Sequence, residues 1–527
     1  MTPQLGRPRR STGAILTALA LALTIPLAVS GAPRGHARPD PLVSSTISGA
    51  IILPLINSGD TRNGVTFEGI PDGLGIAPVG DGEDQVDIFV AFEQSHVPFG
   101  GFADFEDSSV QRVRLNLDLR EVSQLKEMLP PSAGFVRFCS ATMVGPDQGF
   151  DRYTFLVNEE SVDYLPLAPD GPYGPDASIS GTYDFRQAGY SVFLDAKSGD
   201  FETIPGLGRL NHENTVVVPG GWDDIVALTG DDTFAAPSSQ LYMYAAEDQG
   251  EFLGDEGALW AFRVTSKNRT AVDPANAFNG ANDYLDIALG DTLTGRFTEV
   301  PPDYARGTHA GGVSPQADLE SWSNANNVFQ FIRIEDIAYD PNNPREVYFT
   351  DTGAAVTPNG TTGRLSSGGA AQNGRVFKMV LNAGDPTLVD SFSVLADGND
   401  AATSPFTRPD NLGTNANGLM LQEDASSTPT NNDVWWHPWG GGWTRVATVT
   451  QPTAETSGII DASAWIDAGW WILDVQSHVN LPGAVPAGVW GDDPEHEPIY
   501  PLGPTNGSAY SLRRELGQLL LMYIPGS

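Results

Sequence analysis

The side chains of this sequence that could do chemistry are mostly carboxylates, and they recur beside short apolar segments. Glu159-Glu160 follows Thr154 to Val157, and His212-Glu213 follows Gly208-Arg209. Arg333-Ile334-Glu335-Asp336 precedes an apolar run, and Pro409-Asp410-Asn411 reads as a turn. Glu423-Asp424 follows Leu419 to Gln422, and Glu455 stands two residues before Ser457-Gly458. Carboxylates and Asn carbonyls suit hard cations such as calcium, whereas one thiolate among them, from Cys139, favours a transition metal such as iron. Taken singly, each acid reads as a solvated surface group rather than a ligand, and their spacing matches no known metal loop. The sequence holds no Gly-x-Ser-x-Gly elbow, His-Glu-x-x-His, P-loop or Cys-x-x-Cys, which argues against a serine hydrolase, a zincin or a nucleotide-binding enzyme. With 7 histidines in 527 residues, a His-rich binuclear centre is disfavoured too.

The elements that must position these acids read as strands. Val113, Leu115, Leu117 and Leu119 alternate with Arg114, Asn116 and Asp118, the pattern of a half-buried strand. Val86 to Val90, Thr215 to Val218, Leu241 to Tyr244, Leu259 to Val264, Val347 to Thr350, Val376 to Leu381 and Trp470 to Val475 read likewise. Turn clusters separate them, among them Gly80-Asp81-Gly82, Pro219-Gly220-Gly221, Asp340 to Pro344 and Gly440-Gly441-Gly442. Only Arg120 to Leu129 and Ser511 to Met522 carry a helical pattern. Gly353 to Asn373 and Asn399 to Pro405 read as long loops. With 58 Gly, 40 Pro and 18% charged residues, the composition suits many short strands joined by turns. No exact sequence repeat stands out, but strand, acidic loop and strand recur over the whole chain. Such a series closes most economically as an all-β propeller, which shelters its sheet edges; a pair of β-sandwiches is the alternative.

Arg7, Arg9 and Arg10, the apolar run Ile15 to Leu27 and the small residues up to Ala37 predict a signal peptide over 1–37. Arg9-Arg10 also fits a twin-arginine signal. The remainder, 38–527, is expected to be one domain, secreted or periplasmic and monomeric. A formal net charge of −37 disfavours nucleic acid or an anionic membrane as partner. It implies a solvated acidic surface, bound divalent cations, or both. A single cysteine excludes an internal disulfide.

An ordered series of short motifs resembles the PhoX-type alkaline phosphatases. It runs from Gly69-Ile70-Pro71-Asp72-Gly73-Leu74-Gly75 through Cys139 and Glu159-Glu160 to Leu207-Gly208-Arg209-Leu210-Asn211-His212-Glu213. It continues with Gly230-Asp231-Asp232, Arg333-Ile334-Glu335-Asp336 and Val347-Tyr348-Phe349-Thr350. Pro409-Asp410-Asn411-Leu412, Glu455-Thr456-Ser457-Gly458 and Val475-Gln476-Ser477-His478 complete it. The resemblance implies a six-bladed β-propeller with long acidic loops and a few short helices, and an iron and calcium cluster in its channel. It implies Cys139, Glu213 and Glu335 as iron ligands, and Glu159 or Glu160, Asp410 and Glu455 as acids that hold calcium. Arg333 would bind the phosphate of small phosphorylated substrates, with the cations neutralising phosphate oxygens. The sequence departs from the family at Ala91-Phe92-Glu93, where the family has Asn-His-Glu, and over Met143 to Tyr153, where a Thr-Pro-Trp-Gly-Thr stretch is missing.

Competing readings stay open at this stage. Cys139 could be a core thiol, His212 a turn hydrogen-bonder, and Arg333 a structural partner of Glu335 or Asp336. Trp435-Trp436-His437-Pro438-Trp439 and Trp470-Trp471 could be a carbohydrate platform or core. The same fold could act as a phosphodiesterase or lactonase, or as a calcium-stabilised binding protein without catalysis.

Overall fold

The computed structural model describes residues 38–80, 84–94, 107–166, 185–233, 235–424, 432–451, 454–484 and 511–527. The expected signal peptide over 1–37, and Asp81 and Gly82 of one expected turn, lie outside the described residues.

The chain is built of antiparallel strands, with few helices. Six strands matter most for function: β1 (Pro71–Pro78), β2 (Phe138–Val144), β3 (His212–Val217), β4 (Ile334–Asp340), β5 (Pro409–Asn415) and β6 (Ala454–Asp461). Each lies at the edge of an antiparallel sheet. β1 leads to Gln85–Phe92, Val110–Asn116 and Glu121–Leu129; β2 leads to Thr154–Glu159, Ser191–Asp195 and Phe201–Thr203. β3 and β4 belong to one ten-stranded sheet, in which Leu293–Glu299 bridges the outer strands Ala258–Lys267 and Leu388–Asp397. β5 heads a sheet completed at its far edge by Val43–Ser44. β6 heads one completed by the N-terminal strand Ile51–Asn57. The leading strands pack in chain order, β1 on β2 through to β6, and β6 returns to β1. This closed succession is propeller-like and corrects the sandwich alternative. Pro39–Ser527 forms one compact unit.

Apolar side chains between neighbouring sheets form the core. Phe331, Phe349, Phe377 and Phe392 belong to one cluster, while Ile88, Val90, Ile472, Leu519 and Leu521 belong to another. Trp470 and Trp471 are buried within such clusters, as is Trp436, so these tryptophans are core.

Both expected helices are strands. Glu121–Leu129 carries Val122, Leu125 and Met128 three residues apart, a helical spacing. A bulge near Leu115 turns Val122 and Leu125 onto one face, in the core of Ile88 and Val113, while Met128, at a second bulge near Val110, packs with Phe89 and Ala91 on the other. Ser511–Tyr523 is a strand because its apolar run is buried on both faces: Leu519 and Leu521 pack into one inter-sheet core, Leu520 and Met522 into another. Periodicity cannot separate such a run from a buried helix. The strand at Val113 ends at Asn116, and Leu119 is 63% exposed in the following turn. The expected loop Gly353 to Asn373 contains a small sheet of Ala355–Pro358, Leu365–Ser367 and Ala370–Ala371. Among the described residues, no helix is long and apolar enough to cross a membrane.

Candidate metal centre

One residue position recurs in every leading strand. Asp72, Cys139, Glu213, Glu335, Asp410 and Glu455 each occupy the second place of β1 to β6 respectively. In the first five strands a one-residue bulge brackets this position; in β6 the bulge falls at Ser457 and Gly458, so Ser457 holds the matching place and Glu455 lies two residues before it. A bulge bends the strand and re-aims the side chain it carries, a device common beside active sites.

A second position recurs at the end of the adjoining strand. Glu93, Glu160, Asp232, Thr352 and Asp424 each follow the last residue of the strand paired with β1 to β5. Their backbone N–H groups donate to the carbonyls of Ile70, Arg137, Asn211, Arg333 and Arg408, each two residues before the first recurring position. Four of these carbonyl-bearing residues, Ile70, Arg137, Arg333 and Arg408, hold positive φ of 40°, 48°, 63° and 54°. Non-glycine residues adopt such backbone at a cost of about 1 kcal/mol or more, and they concentrate at functional sites.

These positions bring their side chains together in a row. Asp72, Glu93 and Cys139 each offer an atom within 4.8 Å of the others. The same holds for Cys139, Glu160 and Glu213, for Glu213, Glu335 and Asp410, and for Asp410, Asp424 and Glu455. The triads share members, so the row is continuous. Glu160, Glu213 and Glu335 are buried, whereas Glu93, Asp410, Asp424 and Glu455 are half-buried, so the row reaches solvent. Among the described residues, three guanidiniums flank it. Arg137 contacts Glu93 at 3.3 Å and Glu160 at 3.5 Å. Arg333 contacts Asp232 at 3.1 Å, Glu335 at 3.2 Å and Asp424 at 3.6 Å. Arg408 pairs with Asp424.

So many carboxylates cannot all ionise against three guanidiniums. Two like charges 4 Å apart cost about 4 kcal/mol at an effective dielectric near 20. Burial and neighbouring acids accordingly raise the carboxyls of Glu213, Glu335 and Asp410 far above the usual range. Burial pushes Asp72 and Glu160 up to about 7 and Asp232 to about 8. Burial and the surrounding acids also raise the Cys139 thiol, whose Sγ lies 3.1 Å from Asp72 Oδ2. Both carboxylate oxygens of Glu213, 1% exposed, and Oδ1 of Asp72 lack any hydrogen-bond partner. Buried acceptors are ordinarily paired, so these atoms fit cations as their partners. The thiolate-bearing triads suit a softer transition metal, and the all-oxygen triads suit a hard cation.

Among the expected ligands, Cys139, Glu160, Glu213, Glu335, Asp410 and Glu455 converge. Glu159 does not, which corrects that expectation. Its carboxylate takes two bonds from Arg186, at 2.6 and 2.8 Å, and two more from the backbone N–H groups of Val136 and Tyr190. A buried carboxylate saturated in this way has no oxygen left for a cation. His212 bonds Gly208 O and Thr229 Oγ1. Sequence reasoning passed over Asp72, Glu93, Asp232 and Asp424 as site residues, together with Arg137 and Arg408. For Asp72, Arg137 and Arg408 the signal that could have found them is the recurring triplet with an acid or cysteine third: Ile70-Pro71-Asp72, Arg137-Phe138-Cys139, Arg333-Ile334-Glu335 and Arg408-Pro409-Asp410. A cavity of about 620 Å³ lies elsewhere, walled by Tyr348, Trp439 and Trp443, and no member of the row lines it.

Residues 153–457 match the protein family described as alkaline phosphatase PhoX. No curated protein sequence matches the chain. Among solved structures it is similar to Pseudomonas fluorescens PhoX in complex with vanadate, a transition state analogue. The identity is 15%, over 91% of this chain and 96% of that one, with a TM-score of 0.61, a likeness of fold. Beta-1,2-mannobiose phosphorylase from Listeria innocua matches at 10% identity over 76% of this chain and 96% of that one. Its TM-score is 0.29, too low to carry any argument.

Proposed function

The chain belongs to the alkaline phosphatase PhoX family, and we propose that it is an exported, metal-dependent phosphomonoesterase acting on small phosphorylated substrates at the acidic row. We read β1 to β6 as the inner strands of six blades in a single domain spanning 38–527, with Ile51–Asn57 closing the last blade beside the C-terminal strand. Two triads containing Cys139 would hold iron, with Asp72, Glu93, Glu160 and Glu213 as the oxygen donors. The triads of Glu213, Glu335 and Asp410 and of Asp410, Asp424 and Glu455 would hold calcium or share Glu335 with iron.

Bound cations would neutralise phosphoryl oxygens and activate the attacking oxygen. The protein's own groups do the rest. Arg333 lies at the edge of the row with 16% of its side chain exposed, close enough to solvent to meet a substrate. Asp232 fixes its orientation through two bonds of 3.1 Å, to Nε and NH2. Surrounding acids keep it charged, so it presents a fixed donor fork to the equatorial oxygens as negative charge builds there. Thr352 donates to Glu335 and Gln476 donates to Asp72 and Glu93, which orients those carboxylates toward the row.

The observation that carries this reading is Glu213, buried with both oxygens unpartnered at the junction of two triads. Protein purified with its native metals should release phosphate from an aryl phosphate and lose that activity on chelation. Metal-replete protein that leaves every phosphomonoester intact would refute the reading.

A further inference from the structure

We propose that Arg408 is a second phosphate-binding residue, forming with Arg333 a two-guanidinium clamp that selects phosphate monoesters over diesters; this rests on the phosphatase reading above. The two arginines occupy the same place in successive repeats, two residues before Glu335 and Asp410, with φ of 63° and 54°. The carbonyl of Arg333 accepts from Thr352 N–H and that of Arg408 from Asp424 N–H, which holds both backbones in this strained form. The same positive φ recurs at Arg137 and at Ile70, so the strain belongs to the repeat; what singles out Arg333 and Arg408 is that their side chains meet.

Both guanidiniums converge on one atom. Oδ2 of Asp424 lies 3.6 Å from NH1 of Arg333 and pairs with NH2 of Arg408. Asp424 also belongs to the triad with Asp410 and Glu455. A cation held by that triad would compete for the charge of Asp424. Two guanidiniums would then share a carboxylate already committed to the cation. Arg333 keeps Asp232 and Glu335 as partners, so the charge withdrawn from Asp424 is felt chiefly by Arg408, and an anion lying over Asp424 would restore it; the planar forks match phosphate geometry. Arg408 is the most open of the three flanking arginines, with 33% of its side chain exposed against 16% for Arg333 and 15% for Arg137.

The clamp has a consequence for substrate class. A monoester offers three terminal oxygens and a second negative charge; a diester offers two such oxygens and one charge. With cations on part of the phosphoryl group, the remaining oxygen and the extra charge fall to the pair of arginines. A diester puts a weakly accepting ester oxygen there instead. Arg408 should therefore tighten phosphate-like dianions and leave dialkyl phosphates nearly unaffected.

The test compares Arg408→Ala and Arg408→Lys with wild type, all metal-loaded, using aryl phosphate as substrate and inorganic phosphate or dimethyl phosphate as competitive inhibitor. Metal content and melting temperature are measured on each. In Arg408→Ala, KM for the aryl phosphate and Ki for inorganic phosphate should rise roughly 10-fold or more. Ki for dimethyl phosphate should shift less than about 3-fold, metal content should hold, and Arg408→Lys should recover part of the loss. Unchanged phosphate inhibition, or an equal loss for both inhibitors accompanied by lost metal, makes Arg408 a strut for Asp424 and overturns the clamp. Wild-type protein that is metal-loaded yet inert toward phosphomonoesters would instead bring down the functional reading, and the clamp with it.

Discussion

Two layers of acids lie one residue apart along the strands next to the leading ones, and they have opposite fates. Glu159, Asp231, Asp351 and Glu423 form the first layer, and each is tied into the protein. Glu159 is held by Arg186, and Asp231 accepts from Thr233 N–H and Oγ1. Asp351 accepts from the backbone N–H of Ile332 and Arg375, and Glu423 from those of Thr407 and Asp433. Glu160, Asp232 and Asp424, one residue later, face the row, where acids outnumber donors. Successive strand residues point to opposite sides, so an acidic pair in the sequence divides into one acid that builds the site and one that belongs to it. The first layer is tied into the fold, although Oδ2 of Asp231 lacks a partner, and should answer to stability measurements; the second is short of positive charge and should answer to metals.

Glu213→Ala should make the largest difference. It removes a buried carboxylate shared by two triads, and activity should fall on the order of 10³-fold or more as cation charge stabilisation is lost. Metal content should drop while the β-sheet circular dichroism signal persists. Full metal content in this variant would contradict the reading of the row as a cation site. Arg186→Ala probes the first layer. It leaves Glu159 charged, buried and unpaired, which should cost about 3–5 kcal/mol in urea unfolding; molecules that remain folded should keep their metal.

A smaller effect appears in the pH dependence and is shared by both layers, since burial also raises the carboxyls of Asp231, Asp351 and Glu423. In metal-free protein, burial raises the carboxyl of Asp232 to about 8 and those of Asp72 and Glu160 to about 7. The folded state then binds more protons than the unfolded state between roughly pH 4 and these values, so stability falls as pH rises through that window. Melting temperature of the chelated protein should decline from pH 5 to pH 8, and added cations should flatten the decline. A chelated protein that grows more stable over that range would contradict the raised carboxyls.

Much of this was legible in the sequence. Strands such as Val86 to Val90 and Trp470 to Val475 announced themselves through alternation or β-branched and aromatic runs. The helix readings at Arg120 and Ser511 failed for tertiary reasons, namely paired bulges and burial on both faces. Cys139, Glu213, Glu335, Asp410 and Glu455 were reached only through the resemblance to the PhoX-type phosphatases, since taken singly each read as a surface acid or a core thiol; the structure brings them together near the starts of their strands. Asp72, Glu93, Asp232 and Asp424 were hidden because the repeat that unites them lies in register and bulge position, and intervening loops of unequal length erase its period. Glu159 and Glu160 could not be told apart without the strand end at Glu159.

The central claim is that the row exists to hold cations of two kinds, one bound through Cys139. The direct measurement is elemental analysis of native protein beside Cys139→Ser, each with its aryl-phosphate activity. The account predicts iron and calcium bound to the native protein, with iron and activity lost together in the variant while calcium is largely kept. Native protein that hydrolyses the ester without bound metal, or a variant that keeps all its iron, would contradict it.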